Sequence, residues 1–293
     1  MARREVVTIP CKINLHLGIH GEKDARGYHR VDSVMVPVAL FDTVVVEEAP
    51  SLCVAHEPAL EVLSEKTTVW KATTLLAKEL GVEPAVRISV TARIPERAGL
   101  GGSSADAGAT LRALARLWGV NALDARVVGV ARRVGADVAF FLQPVPSLYL
   151  GAGDVLEEAF PSFEAPIALV MPATNGISTQ AAYDEFDRMG SEPMGYEDLC
   201  AALRASDMRG AAAHLYNNLA PAASSLCGEV ARVQEWLHDQ PGVRASQVTG
   251  SGSCSFALCE NTEDAERIAH VAAEECGWRA WATMSVGSPG KIC

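Results

Sequence analysis

The chain has 293 residues, 49% of them hydrophobic and 21% charged, with a formal net charge of −11. That length admits one large domain or two ordinary ones, with enough apolar material for a sizeable core. The acidic balance argues against a nucleic-acid partner, and no run approaches the roughly 18 apolar residues that a membrane span needs.

The N-terminus carries Arg3 and Arg4 but no apolar core of a signal peptide, which reads as cytoplasmic. Cysteines stand at 11, 53, 200, 227, 254, 259, 276 and 293, with no Cys-x-x-Cys pair, so zinc spacing is absent. In such a chain they read mostly as small buried hydrophobes.

The first predicted strand runs from Val6 to His20, broken by Pro10. From Lys12 it alternates: Lys12, Asn14, His16 and Gly18 point one way, Ile13, Leu15, Leu17 and Ile19 the other. By pattern alone this is a half-exposed strand with a solvated lysine. A polar turn from Gly21 ends in Gly27-Tyr28-His29. Such a tyrosine–histidine pair stacks on a flat ring and reads its edge, or else caps a core with a surface histidine. Two β-rich runs follow, Val31 to Leu40 and Asp42 to Glu47, with Pro37 marking the first as an edge or as bulged. Residues 49–64 are weakly patterned. A helix is predicted from Thr67 to Glu79, with Trp70, Leu75, Leu76 and Leu80 available for burial.

Strand 86–91 leads into Pro95-Glu96-Arg97-Ala98-Gly99-Leu100-Gly101-Gly102-Ser103-Ser104-Ala105-Asp106, and a helix is predicted from Ala107 to Trp118. The glycines allow close backbone approach, and the helix start that follows offers free N–H groups and a positive dipole end. The stretch reads as a phosphate cradle or as a flexible turn with a serine cap. It is neither a Walker A loop nor a Gly-x-Gly-x-x-Gly fingerprint. Asp124 caps a helix through Arg133, which runs into Gly135-Ala136-Asp137-Val138. An acid beside a wholly apolar run faces a cation or a site, or caps a turn.

A short hairpin follows at Leu148 to Gly151 and Val155 to Glu157, and the texture changes around Pro161 to Pro166. The second half opens on the strand Ile167 to Met171, the turn Pro172 to Gly176, and Ser178-Thr179 before a helix. Further helical stretches lie near 196–204, 207–216 and 224–238. The end reads as a strand, the turn Thr249 to Ser255, a strand, a helix from Glu263 to Cys276 and a strand from Ala280 to Val286. The Thr249 to Ser255 turn reads as a plain hairpin turn or, as a second glycine loop in one chain, as part of a shared phosphate-lined cleft.

Three of these pieces, in this order, resemble the motifs of the GHMP kinase family: Pro10-Cys11-Lys12-Ile13-Asn14-Leu15, the loop Pro95 to Asp106, and Thr249-Gly250-Ser251-Gly252-Ser253-Cys254. The resemblance covers nearly the whole chain. Gly27-Tyr28-His29, Gly135-Ala136-Asp137-Val138 and Ser178-Thr179 are similar to the branch that takes a cytidine diphosphate ester. It implies an α+β GHMP kinase fold: an N-terminal α/β domain with a left-handed βαβ unit (1–161) and a C-terminal ferredoxin-like domain (162–293), with ATP and substrate between them. The implied reaction passes the γ-phosphate of ATP, with Mg²⁺, to a 2-hydroxyl of that small-molecule ester, in non-mevalonate isoprenoid precursor biosynthesis.

By the same resemblance Asp137 is the catalytic base and Lys12 the cation beside it. Gly99, Leu100, Gly101, Gly102, Ser103, Ser104 and Thr67 would bind ATP, and Asn14, Tyr28, His29, Thr179, Gly250 and Gly252 the substrate. No protein-held metal, nucleic acid or membrane is implied, and a monomer or weak homodimer is expected. The sequence departs from the family at Cys11, where Ala or Gly is usual, and at Ser103, where a glycine is. Thr67 stands where an adenine-contacting Asn is common, and Asn218 where an Asp is. Two alternatives stay open: a GHMP kinase for another alcohol such as homoserine, mevalonate or a sugar, and an idle nucleotide-binding protein on the same scaffold.

Overall fold

The computed structural model describes residues 3–174 and 176–286. Met1, Ala2, Asn175 of the mid-chain turn and Cys293 lie outside the described residues. In chain order the elements are β1 (Arg4–Lys23), β2 (His29–Glu48), β3 (Cys53–Glu57), α1 (Thr68–Leu80), β4 (Val86–Thr91), α2 (Gly102–Leu117), α3 (Ala125–Val134), β5 (Ser147–Leu150) and β6 (Val155–Ala159). Then come β7 (Pro166–Met171), α4 (Thr179–Met189), α5 (Glu197–Arg204), α6 (Met208–Ala213), β8 (Tyr216–Asn217), α7 (Ala220–Leu226), α8 (Gly228–His238), β9 (Val243–Val248), β10 (Ser255–Cys259), α9 (Thr262–Glu274) and β11 (Arg279–Met284).

Two sheets carry the molecule. The first has the order β3-β4-β2-β1-β8, with the β5–β6 hairpin attached to β2. Within it β3 and β4 are parallel neighbours joined through α1, a βαβ unit. The second has the order β11-β7-β10-β9, all antiparallel. Numbered by its own strands that order is 4-1-3-2, the ferredoxin-like arrangement. The expected boundary at 161/162 falls in the link between β6 and β7, yet β8 from the second half pairs in parallel with β1 at His16 and Leu17.

The structure corrects several expectations. Strand β1 runs on through Pro10, which pairs with Phe41 where the register shifts. A proline has no ladder proton to give, and a bulge removes the need for one. The two runs expected on either side of Phe41 are one strand, β2. The strand shifts register between Val38 and Phe41, and Pro37 lies between the segments that pair with β5 and β4. In that gap Pro37 O accepts the N–H of Val286 at 2.8 Å.

The face of Lys12 and Asn14 is not solvated: they are 3% and 2% exposed. The 249–254 turn covers it, with Thr249 Oγ1 accepting the N–H of Asn14. Strand β3 lies inside the weakly patterned stretch; it exposes most of its residues, so its pattern carries little hydrophobic signal. Of the apolar residues expected to bury in α1 only Leu76 is fully buried; Trp70, Leu75 and Leu80 are partly so. The helix after the glycine loop begins at Gly102, not Ala107, because nothing from Ser103 onward resists helical geometry. The stretch expected as one helix over 224–238 is two, parted by the extended Cys227. The stretch 207–216 holds α6 and then the start of β8.

Helix α2 packs between the first sheet and Phe140-Phe141, both fully buried. Gly108 makes this possible: a Cβ there would stand 2.4 Å from Phe141 Cβ. Its anchored N-terminus is what positions the site.

Candidate active site

Four separate stretches converge at the start of α2. From β1 comes Lys12, whose Nζ donates to Asn14 Oδ1 at 2.6 Å and lies 3.5 Å from Asp137 Oδ2. Asp137 sits in a single 3-10 turn, Ala136–Val138, that makes no side-chain cap, so its carboxylate stays free to face the lysine. A lysine this buried needs a counter-charge, and Asp137 is one. Asn14 is held in turn: its Nδ2 donates to Ser33 Oγ at 2.9 Å. Thr249 Oγ1 accepts the N–H of Asn14 at 3.1 Å.

The glycine loop lies directly against the 249–254 turn. At Gly99, φ is +74° and a Cβ would stand 2.0 Å from Thr249 O, so a side chain there would force the two loops apart. Lys12 N donates to Leu100 O at 3.1 Å, which ties the loop to β1. Leu100 gives the site only backbone, since its side chain is fully buried in the core. Gly101 caps α2 in the left-handed region, and Gly102, Ser103 and Ser104 form the first turn. The leading amides of a helix have no partner within it, so this turn presents donors and a positive dipole end to the cavity. The helical backbone at Ser103 is one that serine adopts freely. Thr68 Oγ1 donates to Ser103 O at 2.7 Å and joins the start of α1 to the loop.

The predicted residues meet in one cavity of about 720 Å³, lined by Lys12, Asn14, Tyr28, His29, Thr67, Gly99 to Ser104, Asp137 and Thr179. Two expected residues do not line it. Gly250 and Gly252 are packing positions, with Gly250 set against Gly99 and Lys12 and Gly252 against Ala223, and Ser251 between them reaches the cavity. Ser251 Oγ pairs with Thr179 Oγ1 at 3.2 Å. Thr67 lines the wall, but its hydroxyl donates to Ser64 O at 2.7 Å and accepts from Trp70 N, so it works as the cap of α1.

At the far end Tyr28 is 56% exposed, with the Arg26 guanidinium 5.3 Å over its ring. His29 is buried beside Tyr183, centroids 5.6 Å apart. Its Nδ1 is 2.7 Å from His20 O, and its Nε2 is 2.9 Å from Asp187 Oδ1 but outside hydrogen-bonding direction. Asp187 also accepts from Lys23 Nζ at 2.6 Å. Lys23 beside Asp187 holds that carboxyl below its ordinary range. Burial, and then the Asp137 charge, push the Tyr183 phenol well up, so it stays protonated.

Sequence reasoning singled out none of Ser33, Asp106, Tyr183, Asp187 or Asn217 as site residues. Asn217 orders the 249–254 turn by donating Nδ2 to Val248 O and Gly250 O at 2.8 and 2.9 Å. Asp106 is legible in the sequence as an acid between two alanines at the end of the glycine loop. Tyr183 and Asp187 sit four apart on α4, where they read as ordinary helix residues.

A lysine–aspartate pair facing a helix N-terminus suits transfer of an anionic group to a hydroxyl: the amides hold the anion, the carboxylate takes a proton and the lysine offsets charge on oxygen. No helix among the described residues is long and apolar enough to cross a membrane.

Comparison with known proteins agrees with this geometry. Residues 67–143 match the GHMP kinases N terminal domain and residues 199–277 the GHMP kinases C terminal domain. A protein of Rhodococcus jostii named 4-diphosphocytidyl-2-C-methyl-D-erythritol kinase is 36% identical, over 98% of this chain and 93% of its own. A protein of the same name from Salinispora arenicola is 35% identical, over 90% of this chain and 86% of its own. A crystal structure of 4-(cytidine 5'-diphospho)-2C-methyl-D-erythritol kinase superposes with a TM-score of 0.77 at 28% identity, covering 98% of this chain and 100% of that one. Homoserine kinase from Cytophaga hutchinsonii, with TM-score 0.74 at 19% identity over 97% of this chain and 95% of that one, shares the fold.

Proposed function

This chain belongs to the GHMP kinase family, and from that we propose that it transfers the γ-phosphate of ATP to the 2-hydroxyl of 4-diphosphocytidyl-2-C-methyl-D-erythritol. The observation that carries the proposal is the Lys12–Asp137 pair, 3.5 Å apart, in one cavity with the α2 N-terminus and with Tyr28 and His29.

Phosphoryl transfer asks the protein for positioning and charge neutralisation more than for covalent chemistry. The amides of Gly102, Ser103 and Ser104 would hold the ATP phosphates over the α2 N-terminus. Asp137 would accept the proton of the attacking hydroxyl. Lys12, steadied by Asn14, would hold the Asp137 carboxyl in place and neutralise charge growing on the transferred group. Tyr28 would stack on the cytosine and His29 would face its edge, with Thr179 and Ser251 on the ribose side.

Mg²⁺ would arrive with ATP and neutralise its β- and γ-phosphate oxygens. Phosphates and waters would supply most of its ligands.

The test is a phosphorus-NMR assay with protein, Mg-ATP and 4-diphosphocytidyl-2-C-methyl-D-erythritol. A new phosphomonoester signal growing in step with ADP is the expected result. ATP binding without that signal would move the acceptor to another alcohol, or leave a protein that only binds nucleotide.

A further inference from the structure

Beneath the glycine loop lies an acid pair that the transfer chemistry does not use. Asp42, on β2, is 1% exposed, and its Oδ1 accepts the backbone N–H groups of Arg93 and Ile94, the latter at 2.8 Å. Those two residues begin the connection from β4 into the loop. Asp106, on α2 just past the first turn where that helix packs on β2, is 7% exposed and lies close enough to Asp42 to feel its charge. Its Oδ1 is buried with no partner. Both carboxyls border the cavity.

Two carboxylates in contact away from water do not both ionise; one proton must lie between them. Burial raises the Asp42 carboxyl as well, but Asp42 receives two amide protons that favour its charged form and Asp106 receives none, so the shared proton belongs to Asp106. Burial first, then the charge of Asp42 and that of Glu96 in the loop, push the Asp106 carboxyl up to about 8. The Cys11 thiol on β1 also feels the Asp42 charge, but burial pushes it up to about 12 and it stays neutral.

We propose that Asp106 is a positioning residue for nucleotide binding: its shared proton ties the start of α2 to the Arg93–Ile94 connection held by Asp42, and so sets the spacing of the loop amides that receive phosphate. The proposal rests on the reading of this loop as the ATP-phosphate site. While the proton is present, a hydrogen bond joins the two walls of the loop. Once it is lost, two negative charges face each other across the loop entrance, close to where phosphate would sit. Nucleotide affinity then falls as pH rises through the Asp106 titration. The reaction step, set at Lys12 and Asp137, is not touched, so the effect belongs in KM rather than kcat.

The experiment measures Mg-ADP binding by calorimetry and the KM and kcat for ATP from pH 7 to 9.5, in the wild type, Asp106→Asn and Asp106→Ala. In the wild type we expect Kd and KM to weaken about fivefold or more across that range, with kcat level. Asparagine donates the same hydrogen bond and does not titrate, so Asp106→Asn should bind as the wild type does at pH 7 and lose the alkaline limb. Asp106→Ala should bind weakly at every pH. A flat wild-type profile, an unchanged alkaline limb in Asp106→Asn, or a limb in kcat alone would overturn the proposal. If Asp106→Ala does not fold, the other two profiles still decide. Absence of Mg-ADP binding at every pH would instead remove the nucleotide reading of the loop itself.

Discussion

At the scale of single residues the chemistry turns on how few groups answer each charge. Asp137 is the acid that faces Lys12, and an amide there keeps an oxygen toward the lysine but takes no proton. Asp137→Asn should lower kcat by about 10²–10⁴ with the ATP KM within a few-fold, read by a coupled ADP assay, and circular dichroism should show an intact fold. Turnover close to wild type would remove Asp137 from the mechanism. Asp106 has a stability consequence separate from binding. Its folded value, about 8, lies above its ordinary 3.8, so the folded chain holds a proton that the unfolded chain has lost over that window. Stability therefore falls as pH rises from about 4 toward 8 and levels beyond. Asp106→Asn lacks this slope, so its melting temperature should gain on the wild type between pH 5 and 8; a constant difference would contradict the assignment.

At the scale of elements the informative contact is that of β1 with the segment after β8. Asn218 stands where the resemblance to the family leads one to expect an aspartate. Its Nδ2 donates to Ile19 O and its Oδ1 accepts the N–H of Ile19, both at 2.9 Å. An aspartate accepts but does not donate, so Asn218→Asp would set a carboxylate oxygen against the Ile19 carbonyl. We expect a loss of about 1–3 kcal/mol in urea unfolding at neutral pH, recovered in part under acid, where the carboxyl carries a proton. No loss would mean that the segment shifts and finds other donors. This departure is thus a local hydrogen-bond matter, removed from Lys12 and Asp137. Thr67, a departure on the cavity wall, is likewise occupied with capping α1.

At the scale of the whole molecule the cavity draws on both halves of the chain: Lys12, Asp137 and the glycine loop from the first, Thr179, Tyr183, Asp187 and Ser251 from the second. A ligand bridging them binds only the folded chain and raises its melting temperature. CDP and Mg-ADP should each do so, a ligand at about 100 times its Kd adding roughly 2.7 kcal/mol. Protection by Mg-ADP but not by CDP or CMP would point to an acceptor without a cytidine.

The sequence by itself determined the parts whose physics is local. Alternation marked β4, a continuous apolar run marked β7, Asp124 and Thr67 marked helix starts, and the glycines at 99 and 101 marked a loop open to close approach. The order of three motifs carried the family. Tertiary structure decided what depends on residues far apart in the chain. It buried the lysine face of β1, because a turn more than two hundred residues later packs on it. It brought Asp137 to Lys12 and Asp42 to Asp106, and it moved the cavity contact of the third motif from its glycines to Ser251. A local pattern records which face of an element is apolar. It holds no record of which distant segment will cover that face, and the charge and pKa of a buried group are set by that cover.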